Sequence, residues 1–145
     1  MNGREEYAAG AEVGRNILLV ALYVVSPSEA AGAGRVLVVA PASNFGPGRW
    51  LSDADTAHVR ANERAAVVVD LLERRGVHAE GRIGDGDPLH AIADALASFP
   101  ADEIVIAIPP QLPRPLADEL LQAARHRFGL SVRRATAAEP LPRAA

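Results

Sequence analysis

Three short stretches of the chain carry side chains whose types and spacing could do chemistry. In the first, Gly84-Asp85-Gly86-Asp87 and the following His90 bring two carboxylates and an imidazole together, a donor set that could hold a hard divalent cation. The same residues make a tight turn that ends in an N-cap. Asp87 would accept from the first helical amides, and Pro88 would stand at the first helical position, where its missing N–H costs nothing. That simpler reading leaves no metal site here. In the second, Ser43-Asn44-Phe45-Gly46-Pro47-Gly48-Arg49-Trp50 holds the only Trp, an Arg and small polar groups. Trp50 with an Arg could stack on and neutralise an anionic ring-bearing ligand; alternatively Trp50 and Leu51 pack the start of the next helix. The third is Pro109-Pro110-Gln111 with Arg114, where an anion could meet a helix N-terminus despite Pro115.

Other chemistry is hard to assemble. The four histidines, His58, His78, His90 and His126, fit no metal-ligand spacing such as HExxH. No cysteine is present, which excludes disulfides, thiolate catalysis and Cys-ligated metal centres. No nucleophile elbow or paired catalytic carboxylates can be assembled, so no catalytic residue is assigned. All 15 basic residues are Arg, which removes the phosphate-binding lysine of P-loop chemistry. The net charge of −3 and the lack of a basic block argue against nucleic acid as a partner.

At 145 residues with 49% hydrophobic content, the chain suits one globular domain. Its longest apolar run, Ile17 to Val25, falls short of the ~20 residues a membrane helix needs. No secretory leader pattern opens it, so a cytoplasmic location is expected.

The elements that must position these residues read as a doubly wound α/β fold. Ile17 to Val25 is a first, central strand, apolar throughout as strands buried on both faces are. Ser26 to Gly34 follows, and Val36 to Ala40 is the second strand. A parallel crossover needs roughly a dozen residues, usually a helix, so this first connection is expected to hold only a shrunken turn over Ser28 to Ala31. Ser52 would cap a long helix with Ala54, Ala57, Ala61, Ala65, Val68 and Leu72 inward and Gly76 as its stop. His78 to Ile83 would be an edge-like third strand. After the Asp87 cap, Leu89, Ile92, Ala93 and Leu96 form an apolar stripe, with Pro100 as the helix stop. Glu103 to Ile108 is the fourth strand. Leu116 to Phe128 is a helix ended by Gly129, and Leu130 to Thr136 is the fifth strand. Residues 1–16 read as a tail or short helix, 17–136 as the domain and 137–145 as a tail.

Taken together, a GxGxP turn, a helix reading Ile92-Ala-Asp-Ala95 and an acidic pair leading into an Ile/Val strand resemble the second half of a universal stress protein (UspA-like) domain. The likeness runs in order from about Arg35 to Thr136. It implies a Rossmann-like three-layer sandwich with a five-stranded, mostly parallel sheet in the order 3-2-1-4-5. It also implies a ligand crevice between strands one and four, a homodimer paired edge to edge through the fifth strand, and a role in stress response. Nucleotide-binding members carry an Asp near the end of the first strand and a Gly-x-x-Gly, nine residues, Gly-Ser/Thr segment after the fourth. Here the first strand ends Tyr23-Val-Val-Ser26, and the fourth is followed by Pro-Pro-Gln-Leu-Pro-Arg-Pro. The implied ATP site therefore does not carry over.

The function expected is a non-catalytic universal-stress-type regulatory or interaction domain without a cofactor, whose other partner would be a further protein. The alternative is a binder of a small anionic molecule or an adenine nucleotide such as ATP. It would use Ser26, Ser43, Asn44, Trp50, Gln111 and Arg114 around the crevice. A hydrolase or transferase on this fold is a third, lesser reading.

Overall fold

A computed structural model describes residues 14–25, 27–30, 32–43 and 54–135. Strand β1 is Asn16–Ala21, a 3-10 turn spans Pro27–Ala30, and β2 is Arg35–Pro41. Helix α1 is Ala54–Arg74, β3 is Ala79–Gly84, α2 is Pro88–Leu96, β4 is Glu103–Ala107, α3 is Arg114–Phe128 and β5 is Ser131–Arg134. The sheet order is β3-β2-β1-β4-β5, and all four seams are parallel. This is the expected order 3-2-1-4-5 of a Rossmann-like sandwich, parallel throughout.

Alternation along the strands sorts the core into two layers. Ile17, Leu19, Val36, Val38, Val105 and Ala107 share one face with Ala61, Ala65, Val68 and Leu72 of α1. Leu18, Val20, Leu37, Val39, Ile104 and Ile106 lie on the other, against Ala91, Ile92 and Ala95 of α2 and Ala117, Leu121 and Ala124 of α3. The continuous apolar runs of β1, β2 and β4 are thus explained by burial on both sides.

The helices form where caps and spacing place them. Asp87 caps α2 through Oδ1, which accepts from the Leu89 amide at 3.1 Å, and Pro88 opens the helix. The helix ends at Leu96 rather than running to Pro100, and the Phe99 amide turns back to the Ala95 carbonyl. Its inward side is Ala91, Ile92 and Ala95, with Leu89 and Leu96 only partly buried. Helix α3 begins at Arg114, two residues before Leu116. Gly129 (φ 67°) ends it, as Gly76 (φ 82°) follows the end of α1, both in the left-handed region that glycine enters freely.

The first crossover is the anomaly the sequence announced. Only the turn Pro27–Ala30 stands where a doubly wound fold has a helix, and Ala30 is buried beside Val25 and α1. A fold-back of Met1 to Asn16 onto that face lies outside the described residues up to 13, as does the tail beyond 135. At the opposite end of the sheet, the buried Glu103 carboxylate joins Arg15 Nη2 at 2.9 Å to Arg133 Nε at 2.8 Å. That pair of bonds ties the entry of β1 to β5 across β4.

Candidate functional site

In a doubly wound sheet the ligand crevice opens at the carboxyl ends of the strands beside the switch point, here the β1–β4 seam. The geometry of that edge follows from the phase of the hydrogen-bond ladder. The Arg15 carbonyl accepts from Gly34 at 2.8 Å and Arg35 at 3.5 Å. With Asn16 opposite Arg35, residues 17, 19 and 21 of β1 therefore face β2 and draw on the amides of 37, 39 and 41. Position 41 is a proline, so the Ala21 carbonyl has no ladder donor. The other seam ends alike. Leu22 donates to the Ala107 carbonyl at 3.2 Å, and the next donor toward the Leu22 carbonyl would be residue 109, again a proline. Both seams of the central strand stop at prolines, which is why β1 closes at Ala21 although the apolar run continues to Val25.

Arg64 supplies what Pro41 withholds. Helix α1 runs antiparallel to the strands, and helical side chains lean toward their own N-terminus, which here is the carboxyl edge of the sheet. From mid-helix Arg64 Nε donates to the Ala21 carbonyl at 3.0 Å and Nη2 to the Pro41 carbonyl at 2.7 Å. One guanidinium edge thus bridges β1 and β2. Burial lowers the Arg64 pKa from its ordinary value. Of the five guanidinium N–H groups, two are spent on these carbonyls, and the other three meet no acceptor among the described residues.

Beyond β2, the Ser43 hydroxyl donates to the Gly86 carbonyl and the Ala42 amide to the Gly84 carbonyl at 3.0 Å. The turn after β3 is thereby stapled to the end of β2. Asp85 Oδ1 accepts from the Asp87 amide at 2.8 Å, so both carboxylates of the sequence motif serve the backbone, and no metal-binding cluster of His, Asp or Glu occurs among the described residues. The sequence also implies a strained backbone angle at Gly84 or Gly86, but neither has a positive φ. Glycine is required at 84 by packing instead. A Cβ there would stand 2.8 Å from the Ala91 Cβ and 2.9 Å from a Val39 methyl.

Beyond β4 the chain is poor in donors. The amide of Leu112 is spent on the Pro109 carbonyl at 3.1 Å, and those of Leu116 and Ala117 on the Pro113 carbonyl at 3.0 Å each. Pro113 occupies the cap position with no side-chain cap bond. Four prolines remove four more amides, leaving those of Gln111 and Arg114.

The six residues named around the crevice therefore have different fates. Ser43 lies at the edge, half-buried and engaged with Gly86. Gln111 and Arg114 are exposed and separated from it by the width of β1. Ser26, Asn44 and Trp50 fall outside the described residues. Arg64 was missed, although a signal existed: it stands seven residues after Ala57 and four before Val68, a charged residue in register with the buried alanine stripe.

No family model matches this chain, and a search of curated proteins finds no significant match.

Proposed function

We propose that the chain is a non-catalytic, homodimeric regulatory or interaction domain of the universal-stress-protein type that does not hold ATP in that family's manner. The resemblance in the βαβ region and the 3-2-1-4-5 sheet support the fold half of this reading. The observation that carries the functional half is the missing donor set at the crevice. A phosphate cradle needs several convergent backbone N–H groups. Between Pro109 and Ala117 every amide but two is either a proline or already bonded. Calorimetry with Mg-ATP should give no constant tighter than roughly millimolar, about 4 kcal/mol of binding free energy. A micromolar constant that the substitution Arg114→Ala abolishes would overturn the reading.

One observation favours a second reading, a binder of a small anionic molecule that uses the edge shared with residues 43–50. Arg64 brings a half-buried positive charge to the ends of β1 and β2, with three N–H groups unspent among the described residues, and a bidentate carboxylate or phosphate suits such a fork. A thermal-shift screen of carboxylates, phosphate and adenine nucleotides separates the two. A stabilising hit that is lost in Arg64→Met would support the second.

A further inference from the structure

Among the described residues the sheet has two open edges, β3 and β5, and their sequences differ in a way that decides how two copies can meet. Donation from Val36 to the His78 carbonyl at 2.9 Å and from Ala42 to the Gly84 carbonyl at 3.0 Å fixes the phase of β3. Residues 78, 80, 82 and 84 face β2, and the N–H and C=O groups of Ala79, Gly81 and Ile83 point outward. None of the three is proline, and Glu80, Gly81 and Arg82 are exposed. A two-fold axis through Gly81 would pair Gly81 with its own copy and Ala79 with the second copy's Ile83, using every outward group. The same register sets Glu80 opposite the second copy's Arg82, twice, as non-hydrogen-bonded pairs in which side chains lie closest. Glu80-Gly81-Arg82 is thus a charge palindrome.

Edge β5 is its opposite. The Ala135 amide bonds to the Ile106 carbonyl at 3.0 Å, so Val132 and Arg134 face outward. A two-fold pairing of Ser131-Val132-Arg133-Arg134 offers Arg134 no acid from either copy's strand, since Arg133 already answers Glu103, and Arg125, His126 and Arg127 of α3 stand close by in sequence at its last turn. Charged edges of this kind resist pairing.

The helix layer fits the first edge too. Helix α1 packs over β2 and β3, and strands lie ~4.8 Å apart. Two copies joined at β3 would therefore set their α1 helices ~9.6 Å apart, a normal interhelical distance. The side of α1 that borders this edge carries Asn62, Ala66 and Val69 at helical spacing, and Val59 stands one turn before Asn62. Val59 is 57% exposed, and the other three line an open groove of about 400 Å³ with Gly81, Arg82 and Ile83.

We propose that the chain dimerises through antiparallel β3–β3 pairing into a continuous ten-stranded sheet, with α1 packed on α1 and each Glu80 paired with the second copy's Arg82. This rests on the homodimer reading above and places it at the edge opposite the one the family resemblance implies. In the single chain Arg82 Nη1 donates to the Ser98 hydroxyl at 3.1 Å and Glu80 lies 3.7 Å from Arg35; both are exposed contacts that the new pairs would replace.

The test is charge exchange, read as molar mass by light scattering and as a dissociation constant by sedimentation. Glu80→Arg and Arg82→Glu should each weaken the dimer about tenfold or more, since two attractive pairs become two repulsive ones. The double variant Glu80→Arg/Arg82→Glu restores the palindrome and should dimerise like the parent. An equimolar mixture of the two single variants should form the mixed dimer. Arg134→Glu should change nothing. A monomeric parent chain would overturn both this proposal and the homodimer reading. A dimer that survives both single reversals, or that Arg134→Glu alters, would overturn the β3 assignment alone.

Discussion

Replacing Arg64 tests whether one side chain stands in for a ladder hydrogen bond. Arg64→Met keeps most of the aliphatic stem in the α1 face and removes the guanidinium. The Ala21 carbonyl, on a residue with no exposed surface, then loses its donor. An unsatisfied buried acceptor costs about 1–3 kcal/mol. The Pro41 carbonyl loses less, because the Ser43 amide also reaches it at 2.8 Å. Relief from burying a cation offsets part of the loss, so a net destabilisation of about 1–2 kcal/mol is expected.

The second arm restores the missing donor. Pro41→Ala returns an N–H to the ladder position opposite Ala21, at a loss of about 0.4–1 kcal/mol from the freer unfolded chain. In that background Arg64→Met should be nearly silent. The double-mutant cycle should therefore show a coupling of about 1 kcal/mol or more, measured by urea unfolding with unchanged slopes. Additive effects within ~0.5 kcal/mol would refute the reasoning, because they would mean that Arg64 and the 41 amide do not compete for one carbonyl. So would an Arg64→Met variant as stable as the parent.

Four further substitutions test the local assignments. Asp87→Ala should lower unfolding free energy by about 1 kcal/mol through loss of the α2 cap, with no response to added divalent cations in either protein; a metal-dependent melting temperature in the parent alone would restore the metal reading. Gly84→Ala should cost about 1–3 kcal/mol by overpacking against Ala91 and Val39, whereas Gly86→Ala, facing only the Ala42 carbonyl at 3.1 Å, should cost less, and thermal melts rank the two. Glu103→Gln should cost about 1–2 kcal/mol and lose the salt sensitivity of the parent's stability, since Arg15 and Arg133 are themselves 56% and 41% exposed.

Local signals gave the fold because each one acts locally. Asp87-Pro88 opens a helix, Gly76 and Gly129 follow helix ends, and the 57-61-65-68-72 stripe needs only helical periodicity to be recognised. The sheet order came from the resemblance in the βαβ region rather than from any crossover length, and the observed order agrees with it. What failed was non-local. Ile17 to Val25 reads as one strand because every residue is apolar, yet the strand stops at Ala21 where neighbours 20 and 88 residues further along present prolines. The glycines of the turn after β3 suggested backbone strain, while the need at Gly84 comes from a helix and a strand packed on either side. Arg64 gains its role only from the register, which sets the missing Pro41 amide against the Ala21 carbonyl.

Those prolines connect stability with function. At the carboxyl edge, Pro41 and Pro109 end both seams of β1, and each removes an N–H at the place where a doubly wound fold meets its ligand. Carbonyl oxygens are left facing the crevice without matching amides, so the edge presents acceptors where a phosphate requires donors. A cation is the economical remedy for one such carbonyl, and Arg64 arrives from the helix that covers that seam. The arginine is therefore explained by the sheet before any ligand is invoked. A ligand reading adds something only if the three unspent N–H groups act independently of the two that hold Ala21 and Pro41. Pro41→Ala with Arg64 retained makes that separation, because it frees the guanidinium from its structural duty while keeping its charge at the edge.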